Sequence, residues 1–598
     1  MNDREPKNRS QIDPSFKWDI EAMYPDESRW KEDLDEALAM SEDFLAFRGR
    51  LTESKDTLLR ALELYAALMR KAEHALVYAH MRHDEDNADA GYTEMNSKAL
   101  SMIASVSAAC SWFTPELLAG DEALIRSYLE EEDMAVYRHM IESILDEKAH
   151  VLSPEEEKLL AEIGEIMNGP DEIYSVLADA EMDFGTIDLP EGRTTLTHGN
   201  YIHFMESENR EIRRQAFEQM HGAYGRLNHT IATMYAYSVK QDCIKSGIRR
   251  YKDSLDAALA PEHIPEKVYH NLIDAVHQAL PAMHRYVALR KRVLGVEQLH
   301  MYDVYRPLIH SVNFKVTFEE AVDICCRALA PLGENYIKAF RRGVLDERWV
   351  DIYENKGKTS GAYSFGSYDS KPYILMNFKG TLHDVFTLIH EGGHSMHSYY
   401  TRKTQPYIYG SHSIFTAEVA STVNETLLIH YLLKNTDDLD MRRYLINFYI
   451  DEFKSTLYRQ TMFAEFELHA HQVVEQGGSL SAEMLNKYYA GLNADYFGPD
   501  MDKDDFICYE WSRIPHFYRA YYVYQYATGF SAANAIANRI LRGGEAERDD
   551  YLRFLTTGDS DDPIELLRIA GVDMSTEEPI QSALSTFAEL VDELEQLL

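Results

Sequence analysis

The sequence is poor in the residues that staple or punctuate small folds. Five cysteines are scattered over 598 residues: Cys110, Cys243, Cys325, Cys326 and Cys508. Their number is odd and no Cys-x-x-Cys occurs, which argues against a disulfide framework and against a thiolate metal site. Glycine (30) and proline (18) both fall below their usual shares. Basic residues are also short, with 60 Lys and Arg against 99 Asp and Glu and a net charge of −39. Nucleic acid and anionic membrane both need basic surface, so neither is expected as a partner. Met1 to Pro14 is polar and lacks an apolar leader segment. No uninterrupted run of 18 apolar residues occurs, so no membrane span is expected and the chain reads as cytoplasmic. Fixed-period repeats, low-complexity tracts and Gly/Ser linkers are absent too.

What remains is an ordinary globular mix, 45% hydrophobic and 27% charged, rich in helix formers. Long helical patterns run through Leu58-Leu59-Ala61-Leu62-Leu64-Tyr65-Leu68 and Leu159-Leu160-Ile163-Ile166. Pro115, Pro154, Gly169-Pro170, Pro261, Pro265 and Pro281 predict breaks. Alternation around Pro190-Glu191-Gly192 predicts a small β-hairpin. This predicts a helical N-terminal lobe over 1–190, followed by a second domain over 191–598. A second short β region is expected at 361–378, with Tyr373 to Asn377 as its strand. That strand is either an ordinary structural one or an edge to which a peptide adds.

The stretch that organises the chain is His390-Glu391-Gly392-Gly393-His394. Thr381 and Asp384 form a capping-box pattern before the apolar run Leu382, Val385, Phe386, Leu388 and Ile389, which predicts a helix. Positions i and i+4 leave a helix on the same face, about 6 Å apart along the axis. Two imidazoles placed so can grip one Zn²⁺ at about 2.0–2.1 Å. Glu391 would sit beside the metal and take a proton from the zinc-activated water.

Such a site needs a third protein ligand and an open position. A third histidine ten residues after the first would fall on Tyr400, which excludes that arrangement. His397, one turn past His394, reads as support for a ligand or as core. Downstream, SIFTAEVASTVNETLLIHYLL is a helix pattern with Ser413 as a possible N-cap. It carries Glu418, 24 residues after His394, and Glu425 on the same face. Ala417, Ala420 and Ser421 are small enough for this helix to approach the first closely. Glu418 is therefore the expected third ligand, and Glu425 an acceptor that orients a ligating histidine. Residues 515–526, PHFYRAYYVYQY, read as a tyrosine-rich helix. It is either packed core or a source of donors for an oxyanion, from His516 and its tyrosines.

Motifs along nearly the whole chain resemble the oligoendopeptidase F group of the thimet-oligopeptidase-like (M3) zinc metallopeptidases. They are KWDIEAMYPDESRW at 17–30, NYIHFMESENREIRRQAF at 200–217, LRKRVLGVEQLHMYDVYRPL at 289–308, SGAYSFGSYDSKPYILMNFKG at 360–380, HEGGHSMH at 390–397, FTAEVASTVNE at 415–425, PHFYRAYYVYQYATGFSAA at 515–533 and DPIELLRIAGVDM at 562–574. The resemblance implies one zinc per chain on His390, His394 and Glu418, with Glu391 as general base. It also implies that His516, Tyr521 and Tyr524 line the site and stabilise the transition state. In the thimet branch the histidine stands further from its tyrosines than the five residues between His516 and Tyr521. The family's usual Gly-Gly before a serine is Gly558-Asp559-Ser560 here. The implied architecture is mainly α: a two-lobed helical shell around a deep channel, with a small β region beside the zinc helix. The implied activity is endopeptidase cleavage of short oligopeptides. An exopeptidase of carboxypeptidase or dipeptidyl carboxypeptidase type on a similar helical fold is the alternative, and a binding protein that has lost the chemistry is a third reading.

Overall fold

Side-chain caps set where many helices begin. Asp26, Ser54 and Asp89 each accept the backbone N–H three residues on, opening the helices Glu27–Leu45, Lys55–Glu85 and Ala90–Cys110. The computed structural model describes residues 6–190, 192–309 and 314–598, apart from the side chains of Pro154 and Glu165. Among the described residues, 24 α-helices stand against five strands of two to four residues, so the expected mainly α class holds. The strands are β1 (Thr186–Leu189), β2 (Gly192–Thr195), β3 (Val350–Asp351), β4 (Tyr363–Phe365) and β5 (Tyr373–Leu375). The chain forms two compact units, Met1–Lys148 with Asn313–Leu432 and Ile536–Val572, and Ala149–Val312 with Leu433–Ala535 and Asp573–Leu598. Each unit gathers three stretches of chain, whereas the expected boundary near residue 190 is a single cut along the sequence.

In the first unit the three opening helices pack on one another. Trp30 is fully buried and donates its indole N–H to the Ala75 carbonyl (2.9 Å). The N-terminal segment is pinned by charge: Arg9 bridges Glu85 and Asp351, and Lys358 reaches Asp351 at 2.7 Å. Ala90–Ala119 is long and apolar enough to cross a membrane by length and composition, although no unbroken apolar run marks it. Its hydropathy comes from alanine, methionine and valine spread among serines. Its helix Ala90–Cys110 packs into the three-helix layer through Met95, Ala99, Met102 and Val106.

The sheet order in this unit is β3-β5-β4, with β3 parallel and β4 antiparallel to β5. Tyr373, Ile374 and Leu375 are fully buried in the middle strand. The strand expected at 373–377 therefore cannot accept a peptide, because both its edges are paired. The sheet's edges are β3 and β4.

The second unit is built around the helix Glu266–Leu294, which packs against Arg459–Glu475, Ala482–Phe497 and Glu578–Leu597. This helix runs straight through Pro281, where a break was expected. Proline costs one hydrogen bond there, and the packing of Leu280, Ala282 and Met283, all buried, carries the helix across. The hairpin β1–β2 pairs Thr186 with Thr195 and Leu189 with Gly192, as expected, while Glu191 of its turn lies outside the described residues. The tyrosine-rich segment differs from expectation. Pro515–Tyr518 is a single 3₁₀ turn, and a helix starts only at Tyr524. Tyr521 between them has a left-handed φ of 53°, held by its N–H donating to Glu467 Oε1 at 2.8 Å. A non-glycine residue in that conformation ends any helix.

Candidate metal centre

The site starts from a cap. Thr381 Oγ1 accepts from the Asp384 N–H (3.3 Å), and Asp384 Oδ2 accepts from the Thr381 N–H (2.7 Å), which opens the helix Leu382–Thr404. That phase brings the His390 and His394 rings to one face, with centroids 4.9 Å apart. The helix Ile414–Lys434 lies against it. Asn424 donates its side-chain amide to the Ile389 carbonyl (3.2 Å), and the second glycine of the motif makes the contact close. A Cβ on Gly393 would lie 2.5 Å from Ser421 Cα and 2.7 Å from the Ala420 carbonyl oxygen. A Cβ on Gly392 would lie 2.4 Å from the Phe340 ring on another side. Ala420 and Ser421 thus act as the small neighbours that the sequence suggested.

Gly393→Ala should force the two helices apart, because the clash is with backbone that cannot rotate away. Overpacking of this kind costs about 1–3 kcal/mol. A lowered melting temperature together with weaker metal binding is expected. A variant that matches the parent in both, in a thermal melt and a metal titration, would mean that the close helix contact does not set the site.

Glu418 Oε2 stands 3.5 Å from His390 Nε2 and 3.4 Å from His394 Nε2, and one ligand atom from each residue falls within 4.8 Å of the others. A tetrahedral centre with bonds of about 2.0–2.1 Å spaces its ligand atoms about 3.3–3.4 Å apart. Direct charge-assisted hydrogen bonds would be shorter, about 2.7–2.9 Å. The three atoms converge on a point rather than on each other. Glu425 Oε1 lies 3.2 Å from His390 Nδ1, on the far side of the ring from Glu418.

Electrostatics favour a cation here. Burial works against charge on His390, yet the bonded Glu425 carboxylate outweighs it and holds the imidazole up at about 9. Burial would raise the Glu418 carboxyl, but His394 and His390 beside it hold it down at about 2. Glu391 is 8% exposed. Burial raises its pKa, while the two imidazoles and the nearby Ser364 backbone N–H pull it back. The β4 edge therefore faces the same carboxyl. The donor set of two imidazole nitrogens and one carboxylate oxygen, with negative charge pooled around it, fits a borderline divalent ion such as Zn²⁺.

His397 resolves as core. It is 2% exposed and stacks on His412 (3.6 Å) and against Phe554 (5.3 Å). The other expected residues belong to the second unit. Tyr521 is buried, with its hydroxyl 3.0 Å from Ser254 Oγ. Tyr524 opens its helix with 1% exposure, its ring centroid 5.0 Å from that of Tyr269. His516 is exposed, with its ring parallel to Tyr522 (5.9 Å) and edge-on to Tyr526 (6.1 Å). Tyr522 and Tyr526 are thus the tyrosines of this segment whose rings meet that of His516.

Comparison with known proteins gives the family. A family model described as Peptidase family M3 matches residues 203–586, and one described as Oligopeptidase F matches 116–184. The chain is 44% identical to Oligopeptidase PepF of Bacillus subtilis, over 99% of this chain and 88% of that one. It is 42% identical to Group B oligopeptidase PepB of Streptococcus agalactiae, over 99% and 98% respectively. Among solved structures, oligoendopeptidase-F from Enterococcus faecium aligns with a TM-score of 0.74 at 39% identity, covering 95% of this chain and 98% of that one. A helical fold whose caps, glycines and ligand helices converge on one centre, matched end to end by such relatives, places the chain in peptidase family M3, in its oligopeptidase F group.

Proposed function

We propose that this chain is a zinc-dependent endopeptidase that cuts internal bonds of short oligopeptides. The observation that carries the reading is the approach of Glu418 Oε2 to His390 Nε2 (3.5 Å) and His394 Nε2 (3.4 Å), with the buried Glu391 carboxyl next to the first histidine in sequence. His390, His394 and Glu418 would hold one Zn²⁺. When bound, the ion supplies Lewis acidity, which acidifies water and polarises the scissile carbonyl. Glu425 accepts the Nδ1 proton of His390, which fixes the tautomer and leaves Nε2 free to ligate. Glu391 takes the proton of the attacking water and passes it to the leaving amine. Its burial-raised pKa suits a group that must do both. The substrate lies along the β4 edge, where Ser364 stands, and its backbone groups supply the pairing. His516, Tyr521 and Tyr524 are the candidate oxyanion donors that the family resemblance implies.

Two further assignments belong to the same reading. The division near residue 190 is supported by the two family models, which match on either side of it. A cytoplasmic setting is supported by five free thiols.

The test is a product map. A peptide of about ten residues, blocked at both ends, is digested and the earliest products are weighed. Two internal fragments, lost on chelation and restored by Zn²⁺, are expected. Residues or dipeptides released stepwise from an unblocked end, with the blocked peptide untouched, would mean an exopeptidase instead.

A further inference from the structure

The cavity that reaches His394 also reaches an unpaired cation. Its volume is about 700 Å³, and its walls include His394, Ser364 on β4, Glu73 and Arg402. Arg402 stands eight residues after His394 on the same helix, about 12 Å along its axis. Its Nη2 donates to the Gly366 carbonyl at 2.9 Å. Its Nε and Nη1 are shut off from solvent and have no hydrogen-bond partner. The two nearest carboxylates are committed elsewhere. Asp369 pairs with Arg70, and Glu73 is acted on by the nearby Tyr407 hydroxyl and Tyr368 backbone N–H. Both act on Arg402 only as charges at a distance.

A guanidinium held out of water is costly unless a carboxylate or several acceptors meet it. Here the acceptors on hand satisfy one nitrogen of three. The charge cannot be discarded, because arginine stays protonated, and its planar fork suits the two oxygens of a carboxylate. The chain as a whole carries a net charge of −39, so the protein's general field does not attract acidic peptides. A cationic wall in the cavity beside the metal centre is a local exception to that field.

We propose that this cavity is an acidic subsite and that Arg402 receives a carboxylate of the peptide substrate. The proposal rests on the peptidase reading of the neighbouring centre. An extended peptide advances about 3.3–3.4 Å per residue. The carboxylate therefore belongs roughly three or four residues from the bond that is cut. It comes from an Asp or Glu side chain or from the free C-terminus of a short peptide.

The experiment measures binding separately from cleavage. Full-length Glu391→Gln protein, loaded with Zn²⁺, is titrated against fluorescent decapeptides of one sequence by anisotropy. The peptides carry Glu or Gln at the third and fourth positions on either side of the bond, each with a free or an amidated C-terminus. The acidic forms should bind on the order of tenfold more tightly than the form with no carboxylate. Arg402→Gln should erase that difference and leave the carboxylate-free peptide's affinity unchanged. Preference that follows the Glu assigns the side chain, and preference that follows the free terminus assigns the C-terminus. Equal affinity for all forms would overturn the proposal, as would an equal loss for every peptide on Arg402→Gln. Glu73→Gln leaves Arg402 in place and removes a competing negative charge, so the acidic preference should widen, and a preference that stays the same or narrows counts against the subsite. Hydrolysis of the carboxylate-free peptide by the parent enzyme tests the peptidase reading on its own. Cleavage with no acidic preference sinks the subsite alone, and acidic preference in binding with no cleavage of any peptide sinks the peptidase reading alone.

Discussion

Glu391→Gln should leave the metal in place while kcat falls by at least roughly 10²–10⁴-fold, the span that general-base catalysis contributes. The substitution keeps the side chain's size and one acceptor oxygen. It removes the only property that the reading needs, a carboxylate that can take a proton. The three proposed ligand atoms belong to other residues, so metal content should match the parent. The position also explains why little else could substitute. Glu391 is 8% exposed, and the Ser364 backbone N–H on the β4 edge acts on its carboxyl, which sets it between the proposed ligands and the edge where a peptide would lie. A mispositioned or absent base cannot be replaced from solvent at comparable effective concentration. The measurement is a steady-state assay on an internally quenched peptide, with metal content determined on the same sample. A variant that keeps more than about a tenth of parental kcat would remove Glu391 from the role of base. One that loses its metal as well would show that the residue holds the site together and would leave its chemistry unproven.

How much of this site could be read from the sequence follows from how local each feature is. The Thr381–Asp384 cap and the His390–His394 spacing are set within one or two helical turns, and both stand in the structure as read. Glu418 and Glu425 lie two turns apart on one helix, so one face presents both to His390. The small residues facing Gly393 were legible for the same reason, since close helix approach demands them. Features that depend on distant partners were not legible. Tyr373 to Leu375 reads as the same buried strand whether it is central or at an edge, and only its pairing with Val350 and Tyr363 on either side decides. Tyr521 reads as helical until Glu467, 54 residues away, takes its N–H and holds it left-handed. Pro281 reads as a break until the packing on its helix outweighs the lost hydrogen bond. Arg402 looks like any basic residue in a helix's last turn, and only the cavity wall shows that its partners are missing.

Glu418→Ala should weaken zinc binding by more than the 10–100-fold typical of losing a residue that merely orients a ligand. Two imidazoles alone leave the ion short of a protein ligand and short of a negative charge, and both losses act in the same direction. The geometry assigns this loss to Glu418 rather than to Glu425. Glu418 Oε2 faces both Nε2 atoms at 3.4–3.5 Å, whereas Glu425 faces Nδ1 of His390 alone at 3.2 Å. Glu425→Gln should consequently fall within the 10–100-fold range, since an amide oxygen can still accept the Nδ1 proton. The two variants therefore separate on one axis. Competitive titration against a zinc indicator ranks them, and activity measured with saturating Zn²⁺ asks whether the lost rate returns. Glu425→Gln should recover with added metal. Glu418→Ala should recover poorly even when the metal is forced in, because the coordination geometry that the ion needs is no longer fixed. If Glu418→Ala holds one zinc as tightly as the parent, the third ligand lies elsewhere. The convergence of the three side chains would then be an ion-pair cluster, and the metal site would have to be sought again from the histidines outward.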